Sequence, residues 1–342
     1  MNNNIRIAIH HDMNSFSRRW VKYCIKENIN YFLVDCYSSN ILEDLEGVDF
    51  LLFNWWHDDI KSQLFMRQLT FALEKKGVNV FPNFDTSYHY DDKVGQKYLL
   101  ESINAPFIKT YVSYDKKEAL NWAENTTFPK VFKLRGGAGS MNVRLVRSKR
   151  QARRIINQAF TVGFSVNDRF SLFKDRILSF KRNASIYTLL GLFKGLVRLF
   201  VPTKQQRNLP RQKGYVYFQD FIPNNDSDMR IIVIGDKAFG LKRYVREGDF
   251  RASGSGRISY FEKDINLECV SIAFEVTKKL ASQCVAFDFV FLDDKPLIVE
   301  ISYAFSIDSY DDCEGYWNED LTFHKGEFNP QCWMLENLIK NK

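Results

Sequence analysis

Short apolar runs alternate with helical segments over the first eighty residues, and this alternation is the strongest constraint on the fold. The runs at 5–9, 31–35 and 48–54 are rich in Ile, Val, Leu and Phe, as is typical of strands buried on both faces. Segments 16–27 and 60–75 carry apolar residues at helical spacing. Strands separated by helices predict a small open parallel sheet covered on both faces, and therefore an α/β fold.

The rest of the chain has a different pattern, in which several strands follow one another directly. The chain has 342 residues, which is too long for one compact core and predicts two or three modules. Before residue 160 we predict helices at 94–102, 116–124 and 149–160, a strand at 107–112 and a strand pair around 136–139. After residue 214 we predict strands at 215–221, 229–234, 238–244, 257–261, 285–292 and 296–302, and helices at 267–282 and 331–341.

Two acidic residues lie inside the last two apolar strands of this pattern. Asp288 stands in Ala-Phe-Asp-Phe-Val-Phe and Glu300 in Leu-Ile-Val-Glu-Ile-Ser. A charge in such a run is costly unless it is paired or bound to a metal ion. On adjacent antiparallel strands both carboxylates can point to the same face, where a hard cation such as Mg²⁺ would relieve their repulsion. The alternative is that each carboxylate pairs with a nearby Lys or Arg.

A glycine-rich turn follows a lysine in Lys133-Leu-Arg-Gly-Gly-Ala-Gly-Ser140. Glycines let the backbone approach an anion closely, and successive N–H groups can form an anion-binding nest. The turn is neither a Walker A sequence nor a GxGxxG that opens a helix. An ordinary glycine hairpin therefore stays an alternative to a phosphate-binding loop.

The order and spacing of these motifs resemble the ATP-grasp superfamily from about Asp92 to the C-terminus. The matching segments are Asp92-Lys93, Lys133 with its glycine turn, Phe218-Gln-Asp-Phe-Ile-Pro223, Asp228-Met-Arg230, Gly240-Leu-Lys-Arg243, the segment 249–256, Asp288 and Glu300-Ile-Ser302. The resemblance implies an ATP-grasp fold with three parts. These are an N-terminal parallel α/β domain at 1–88, a lid domain at 89–222 with an insertion at about 161–213, and a C-terminal antiparallel-sheet domain at 223–342 that carries the metal site.

The resemblance also implies which residues bind ATP and metal. The ATP-binding residues would be Lys93, Lys133, Gly136, Gly137, Ala138, Gly139, Ser140, Gln219, Asp220, Phe221, Ile222 and Asp228. Mg²⁺, as two ions for which Mn²⁺ can substitute, would be held by Asp288, Glu300 and Ser302. The family usually has Asn at the position of Ser302 and often Arg at that of Ala286. Positive charge on the transferred phosphoryl group must therefore come from Arg230, Lys242, Arg243 or Arg251.

The implied activity is that of a carboxylate–amine ligase, which forms a carbon–nitrogen bond through an acylphosphate and releases ADP. Segments 300–305 and 315–317 are similar to those of ATP-grasp proteins associated with surface-polysaccharide biosynthesis. We therefore expect an acidic glycan precursor as the acid and an amino acid or amine as its partner. Two alternatives stay open: a small-molecule or sugar kinase, and a catalytically decayed ATP-binding scaffold or membrane-associated regulator.

The insertion is strongly basic. From Arg147 to Lys213 there are 16 Lys and Arg but only two acidic residues, whereas the whole chain has a net charge of +7. Within the insertion, 186–201 carries an apolar helical face. It fits a helix lying on an anionic membrane surface through 174–211, or one packed on the lid. No recognised nucleic-acid-binding module is present, so no such partner is expected.

The expected location is the cytoplasm, with peripheral association at the inner face of the membrane. The first residues lack an apolar run of signal-peptide length. The six cysteines are scattered without a CxxC motif, as is usual for reduced thiols. The sequence gives no indication of the oligomeric state.

Overall fold

The computed structural model divides the chain into two compact units. It describes residues 5–55, 59–137, 142–166, 173, 176–177, 180, 184–201, 210–246 and 248–340. The larger unit consists of Met1–Tyr90, Gly95–Phe107 and Ile222–Lys342, and the smaller unit of Asp91–Val94 and Ile108–Phe221. Helix α5 (Lys93–Ser102) therefore begins in the smaller unit and continues in the larger one.

The N-terminal part of the larger unit is a parallel sheet, as predicted, and it has four strands where three were predicted. Its strands are β1 (Ile7–His10), β2 (Tyr31–Val34), β3 (Phe50–Leu52) and β4 (Asn79–Phe81), in the order β2-β1-β3-β4. The accompanying helices are α1 (Ser17–Lys26), α2 (Ile41–Asp44), α3 (Ile60–Lys75) and α4 (Phe84–Ser87). Ile7, Ala8 and Ile9 are fully buried, because a central parallel strand is covered on both faces.

The larger unit also contains a seven-stranded antiparallel sheet. Its strands are β9 (Ser227–Ile234), β10 (Lys237–Tyr244), β11 (Ile258–Ser259), β12 (Cys284–Leu292), β13 (Lys295–Ser302), β14 (Gly315–Asn318) and β15 (Phe323–Lys325). The order is β13-β12-β9-β10-β14-β15, and β11 pairs with β10. Helices α9 (Leu267–Lys279) and α10 (Pro330–Lys340) complete the unit.

The two faces of this sheet contribute to two different hydrophobic cores. Ile232, Phe239 and Leu241 face a core that they share with the N-terminal parallel sheet. Ile231 and Phe287 face the other way, into a core built with α9 and α5. Because side chains alternate along a strand, every residue of β9, β10 and β12 is assigned to one of these faces.

The smaller unit is built on a four-stranded antiparallel sheet of order β5-β8-β6-β7. Its strands are β5 (Thr110–Ser113), β6 (Lys130–Phe132), β7 (Arg144–Val146) and β8 (Val216–Asp220). Its helices are α6 (Lys116–Asn125), α7 (Lys149–Ala159) and α8 (Ile186–Phe200). The predicted strand pair around the glycine turn corresponds to β6 and β7. Helix α8 coincides with the predicted amphipathic segment.

Two predicted strands differ from the structure. The strand predicted at 257–261 is only two residues long, because the chain turns into a short 3₁₀ helix at Glu262–Asp264. The strand predicted at 107–112 begins at Thr110, and Phe107 forms an isolated bridge with Ile298. The hairpin of β14 and β15 was not predicted. Among the described helices, none is long and apolar enough to cross a membrane.

Candidate functional site

Two predicted lysines of the smaller unit are buried, and each is held by a polar contact. The Lys93 side chain donates to the carbonyl oxygen of Gly137 at 2.8 Å, and that of Lys133 donates to Gln219 Oε1 at 2.7 Å. Lys93, Lys133 and Gln219 are only 4%, 5% and 2% exposed. Lysines are rarely buried unless their charge has a partner or a function. We call these three residues the lysine cluster.

The start of the glycine turn is hydrogen-bonded to the segment just before α5. The Gly137 N–H donates to Asp91 Oδ1 at 2.6 Å. A Cβ at Gly136 would lie 2.8 Å from Asp91 Oδ2, and Gly137 has a φ of +112°. Glycine is therefore favoured at 137 by its backbone conformation, whereas a side chain at 136 would displace the Asp91 carboxylate that holds the turn. The predicted residues Ala138, Gly139 and Ser140 lie outside the described residues.

Sequence reasoning missed the residues that make this attachment. Arg135 Nη2 donates to Asp92 Oδ2 at 2.6 Å, and the Arg135 carbonyl accepts from the Lys93 N–H at 2.9 Å. Burial would lower the pKa of Arg135, but the ion pair with Asp92 outweighs it and leaves that pKa above its usual value. The only signal was two aspartates directly before Lys93. Their partners are more than forty positions away in the sequence.

The C-terminal end of β8 carries the next group of predicted residues. Gln219 lies on β8 beside Val131 and Thr110 of the neighbouring strands. The Asp220 carboxylate pairs with Lys130 Nζ at 2.6 Å. The chain passes from the smaller unit to the larger one at Phe221 and Ile222.

A row of charged residues crosses three adjacent strands of the larger unit. Asp288 on β12 lies directly opposite Arg230 on β9 and opposite Glu300 on β13. Directly paired residues project to the same side of a sheet, so all three share a face, as predicted for the two carboxylates. Arg230 Nε lies 3.3 Å from Asp288 Oδ1 but lacks hydrogen-bond geometry to it. The contact between Arg230 and Asp288 is therefore an ion pair and not a hydrogen bond through Nε.

Arg243 and Asp228 extend the same face on β9 and β10. They are opposite one another in the strand register, and the Arg243 guanidinium binds both Asp228 oxygens at 2.7 Å. Its Nη2 also lies 2.9 Å from Asp288 Oδ1. We refer to Asp228, Arg230, Arg243, Asp288 and Glu300 as the charged face.

Burial and charge act in opposite directions on the ionisable groups of the charged face. Burial raises the pKa of Asp228, although the Arg243 guanidinium favours its ionised form. Burial would lower the pKa of Arg243, but the carboxylates of Asp288 and Asp228 outweigh it and raise that pKa. Both arginines therefore stay positively charged. Tyr310 lies near them, and burial raises its pKa against their charge. It was not predicted, because its segment has no regular pattern.

Three other predicted residues are not part of this ion-pair network. Lys242 projects to the opposite face of β10 from Arg243, and its Nζ lies 5.4 Å from the centre of the Tyr244 ring. The Arg251 guanidinium binds Asp249, with its Nη2 2.6 Å from Oδ2. The Ser302 hydroxyl donates to the Ala304 carbonyl and accepts from the Ala304 N–H, so its contacts form a local turn.

Asp288 pairs with Arg230 and Arg243, which was the alternative to a metal ion for this carboxylate. Its carboxylate and that of Glu300 are nevertheless the ligand type that Mg²⁺ prefers. Mg²⁺ is usually bound by one or two carboxylates, with water and substrate phosphates as the other ligands. Asp288 and Glu300 provide two facing carboxylates on rigid strands. Within the described parts of the chain, no cluster of three or more His, Cys, Asp or Glu exists that could hold a metal without such a substrate.

Comparisons with known proteins agree with this fold. Residues 201–313, about one third of the chain, match the RimK-like ATP-grasp domain family. A RimK domain ATP-grasp protein from Sphaerobacter thermophilus has a TM-score of 0.52 at 14% identity, with 86% of this chain and 90% of that chain covered. The D-alanine–D-alanine ligase from Bacillus anthracis, complexed with ATP, has a TM-score of 0.52 at 12% identity, with 90% and 88% covered.

D-cycloserine synthetase DcsG has a TM-score of 0.58 at 12% identity, with 98% of this chain and 100% of that chain covered. None of the curated proteins matches the chain in sequence. The chain therefore has the ATP-grasp fold, and the resemblance predicted from its sequence is confirmed. Within that superfamily, the segment that carries all five residues of the charged face is RimK-like.

Proposed function

We propose that this protein is an ATP- and Mg²⁺-dependent ligase that joins a carboxylate to an amine. The observation that carries the proposal is the row Arg230, Asp288 and Glu300 across three strands, with Arg243 beside it. Two facing carboxylates fit a magnesium ion that also binds phosphate, and two permanently charged arginines fit a transferred phosphoryl group. The shared fold with proteins named as a ligase and a synthetase supports this reaction class.

The lysine cluster is proposed to bind the phosphates of ATP. Lys93 and Lys133 are compact positive charges on buried side chains, and a bound triphosphate would replace their present partners, Gly137 and Gln219. The glycine turn would lie against the same phosphates, because it is fastened next to Lys93. Residues 219–222 would present backbone groups to the adenine, with the Gln219 side chain reaching its amino group. Asp228 would contact the ribose if its bond to Arg243 were released.

Asp288 and Glu300 are proposed to hold Mg²⁺, which would neutralise phosphate charge during transfer. Arg230 and Arg243 would add positive charge at the same face. This charge is in place before the substrate arrives, since both guanidinium groups are held by carboxylates. Charges that are already positioned need no reorganisation as the reaction proceeds.

The proposed reaction has two steps. A carboxylate oxygen of the acid attacks the γ-phosphorus of ATP, the bond to the β-phosphate oxygen breaks, and ADP leaves. The amine then attacks the acylphosphate carbonyl, phosphate leaves with the bonding electron pair, and the amine loses a proton. No protein nucleophile takes part, so positioning and charge supply the catalysis. The proposed acid is an acidic glycan precursor, and the amine an amino acid or small amine.

The proposal is tested by measuring ADP and phosphate release with candidate acids and amines, together with mass spectrometry of the product. We expect equal release of ADP and phosphate only when both substrates are present. Asp288→Asn and Glu300→Gln should each lower turnover at least a hundredfold without changing the circular dichroism spectrum. The matched control is Asp294→Asn, in the exposed turn of the same hairpin, and it should keep full activity.

Three results would contradict the proposal. ADP formation without free phosphate would indicate a kinase. Nucleotide binding without any turnover would indicate a scaffold. Full activity in both carboxylate variants would remove the metal site from Asp288 and Glu300.

A further inference from the structure

Helix α8 of the smaller unit is well defined by its own sequence. The Ser185 side chain accepts from the Thr188 N–H at 3.2 Å, and Thr188 Oγ1 accepts from the Ser185 N–H at 3.0 Å. This reciprocal capping box satisfies two backbone donors that the first turn would otherwise leave unpaired. The helix therefore begins at Ile186 because of local hydrogen bonds.

The side of α8 that packs on the protein is its small-residue side. Gly195 is buried, and a Cβ there would lie 2.8 Å from the Arg176 side chain and 3.0 Å from that of Phe173. Arg176 Nη1 also donates to the Gly191 carbonyl at 2.7 Å. The side chains of Phe173 and Arg176 thus pack against the glycines of α8.

The apolar side of α8 points into solvent. Ile186, Leu190, Phe193 and Val197 follow one another at the spacing that places them in one stripe along a helix. They are 69%, 51%, 60% and 61% exposed. An amphipathic helix of a globular protein normally buries its apolar face and exposes its polar one. In α8 the apolar face is exposed as well as the charged one, so this stripe, which we call the apolar stripe, is suited to an external partner.

Positive charge lies directly beside the apolar stripe. Lys194 and Arg198 are exposed and project next to it, one turn apart on the same side. From residue 176 to residue 213 the chain contains nine Lys and Arg and no acidic residue. Two copies of α8 facing each other would bring these like charges together, which argues against a second copy of the chain as the partner.

We propose that α8 binds the surface of an anionic lipid bilayer. The apolar stripe would enter the boundary between headgroups and acyl chains, and Lys194 and Arg198 would contact lipid phosphates. A helix of 15 residues lies in such a surface and is too short to span it. The proposal concerns the place where the protein acts and is independent of the reaction proposed for the charged face.

The test is sedimentation of the full-length protein with vesicles of phosphatidylcholine, with and without phosphatidylglycerol. We expect binding only to the anionic vesicles, and loss of binding at high salt because exposed charges are then screened. The double variant Leu190→Ser with Phe193→Ser should bind at least about tenfold more weakly, since it removes two of the four apolar side chains of the stripe. Lys194→Glu with Arg198→Glu should weaken binding by about twentyfold or more.

The matched control replaces two equally exposed apolar residues elsewhere, Ile25→Ser and Leu64→Ser. These residues are 66% and 68% exposed, on α1 and α3, and their loss should leave vesicle binding unchanged. Circular dichroism and ATP binding, measured without vesicles, report whether each variant is folded. The charge variant changes only solvent-exposed side chains, so it tests the proposal even if the apolar variant unfolds the helix.

Several results would overturn the proposal. One is that the wild-type protein binds neither kind of vesicle. Another is that the wild-type protein binds neutral and anionic vesicles equally, and that the charge variant binds them as well as wild type does. A third is a wild-type dimer in sedimentation equilibrium that the apolar variant abolishes, which would assign the stripe to a second copy of the chain. None of these measurements needs an acid or amine substrate, so they do not depend on the proposed ligase activity.

Discussion

At the scale of single residues, the charged face explains how ionised side chains are tolerated inside apolar strands. Asp228 and Asp288 each face a guanidinium group, and Arg243 touches both carboxylates. Burying one of these charges alone would cost several kcal/mol. The two positive charges of the arginines balance the two negative charges of the aspartates, and Glu300 lies beside them on β13.

Replacing Arg243 by Met is expected to destabilise the protein by about 3–5 kcal/mol at pH 7. The partly buried Asp228 carboxylate loses the guanidinium that binds it, and Asp288 keeps its contact with Arg230 but loses the one with Arg243. Burial already raises the pKa of Asp228. A carboxyl whose pKa is raised by folding stabilises the folded state below its unfolded value of about 3.9, and this contribution is lost as the pH rises. The loss of unfolding free energy in Arg243→Met should therefore become smaller as the pH is lowered from 7 to about 4.

Urea unfolding at both pH values measures this effect. Lys242→Met is the matched control, since Lys242 neighbours Arg243 on β10 but projects to the other face over Tyr244. Lys242→Met should lower the free energy of unfolding by less than about 1 kcal/mol at either pH. Equal penalties for the two variants would mean that the ion pairs of the charged face contribute little to stability.

Sequence reasoning at this scale was limited by strand register. The shared face of Asp288 and Glu300 follows from the alternation of side chains along strands, and it was predicted. The bidentate pairing of Asp228 with Arg243 depends on the two-residue turn between β9 and β10, which sets residue 234 opposite residue 237. The bond from Lys133 to Gln219 joins residues 86 positions apart. No local pattern identifies such a partner.

At the scale of secondary structure, one predicted helix agrees with the structure at both of its ends. Helix α3 spans the same residues as the periodic segment that predicted it. Its N-cap is Asp59, whose carboxylate accepts from the Ser62 N–H at 3.1 Å and from the Tyr37 hydroxyl at 2.8 Å. Partial burial would raise the pKa of Asp59, but hydrogen bonds from Ser62 and Tyr37 outweigh it and hold that pKa below its usual value.

Asp59→Ala should therefore lower the free energy of unfolding by about 1 kcal/mol at pH 7. A carboxyl with a depressed pKa stabilises the fold above its unfolded value of about 3.9, and this contribution is lost as the pH falls through the folded value. The difference from wild type should thus narrow between about pH 5 and pH 3. Chemical unfolding across this range measures it.

Asp59→Asn is the informative control for this cap. Asn caps helices about as well as Asp but has no charge to titrate. Asp59→Asn should lower the free energy of unfolding less than Asp59→Ala does. The difference in unfolding free energy between these two variants should not vary with pH. A pH-independent difference between wild type and Asp59→Ala would show that the ionised carboxylate is not what stabilises the cap.

The hairpin of β14 and β15 shows why other elements escaped prediction. Its strands are three or four residues long and rich in polar residues, so neither alternation nor apolar content marks them. A Cβ at Gly315 would lie 2.1 Å from the His324 carbonyl oxygen, so glycine is needed for the two backbones to approach. That requirement becomes visible only once the strands are paired.

At the scale of the whole molecule, each unit carries features that the sequence indicated separately. The larger unit contains the charged face, and the smaller unit contains the lysine cluster and α8. The RimK-like match at 201–313 includes the charged face but neither Lys93 nor Lys133. The prediction that these lysines take part in the same reaction therefore rests on motif order along the chain, because neither apolar periodicity nor the family match includes them.

The central claim is that a substrate carboxylate attacks ATP, and an isotope experiment tests it most directly. The acid found by screening is labelled with ¹⁸O in its carboxyl group and incubated with ATP, Mg²⁺ and the amine. Formation of an acylphosphate transfers a carboxylate oxygen to the released phosphate, so the phosphate should carry one labelled oxygen atom per turnover by mass spectrometry. Unlabelled phosphate, formed at the same rate as the amide product, would contradict the proposed mechanism.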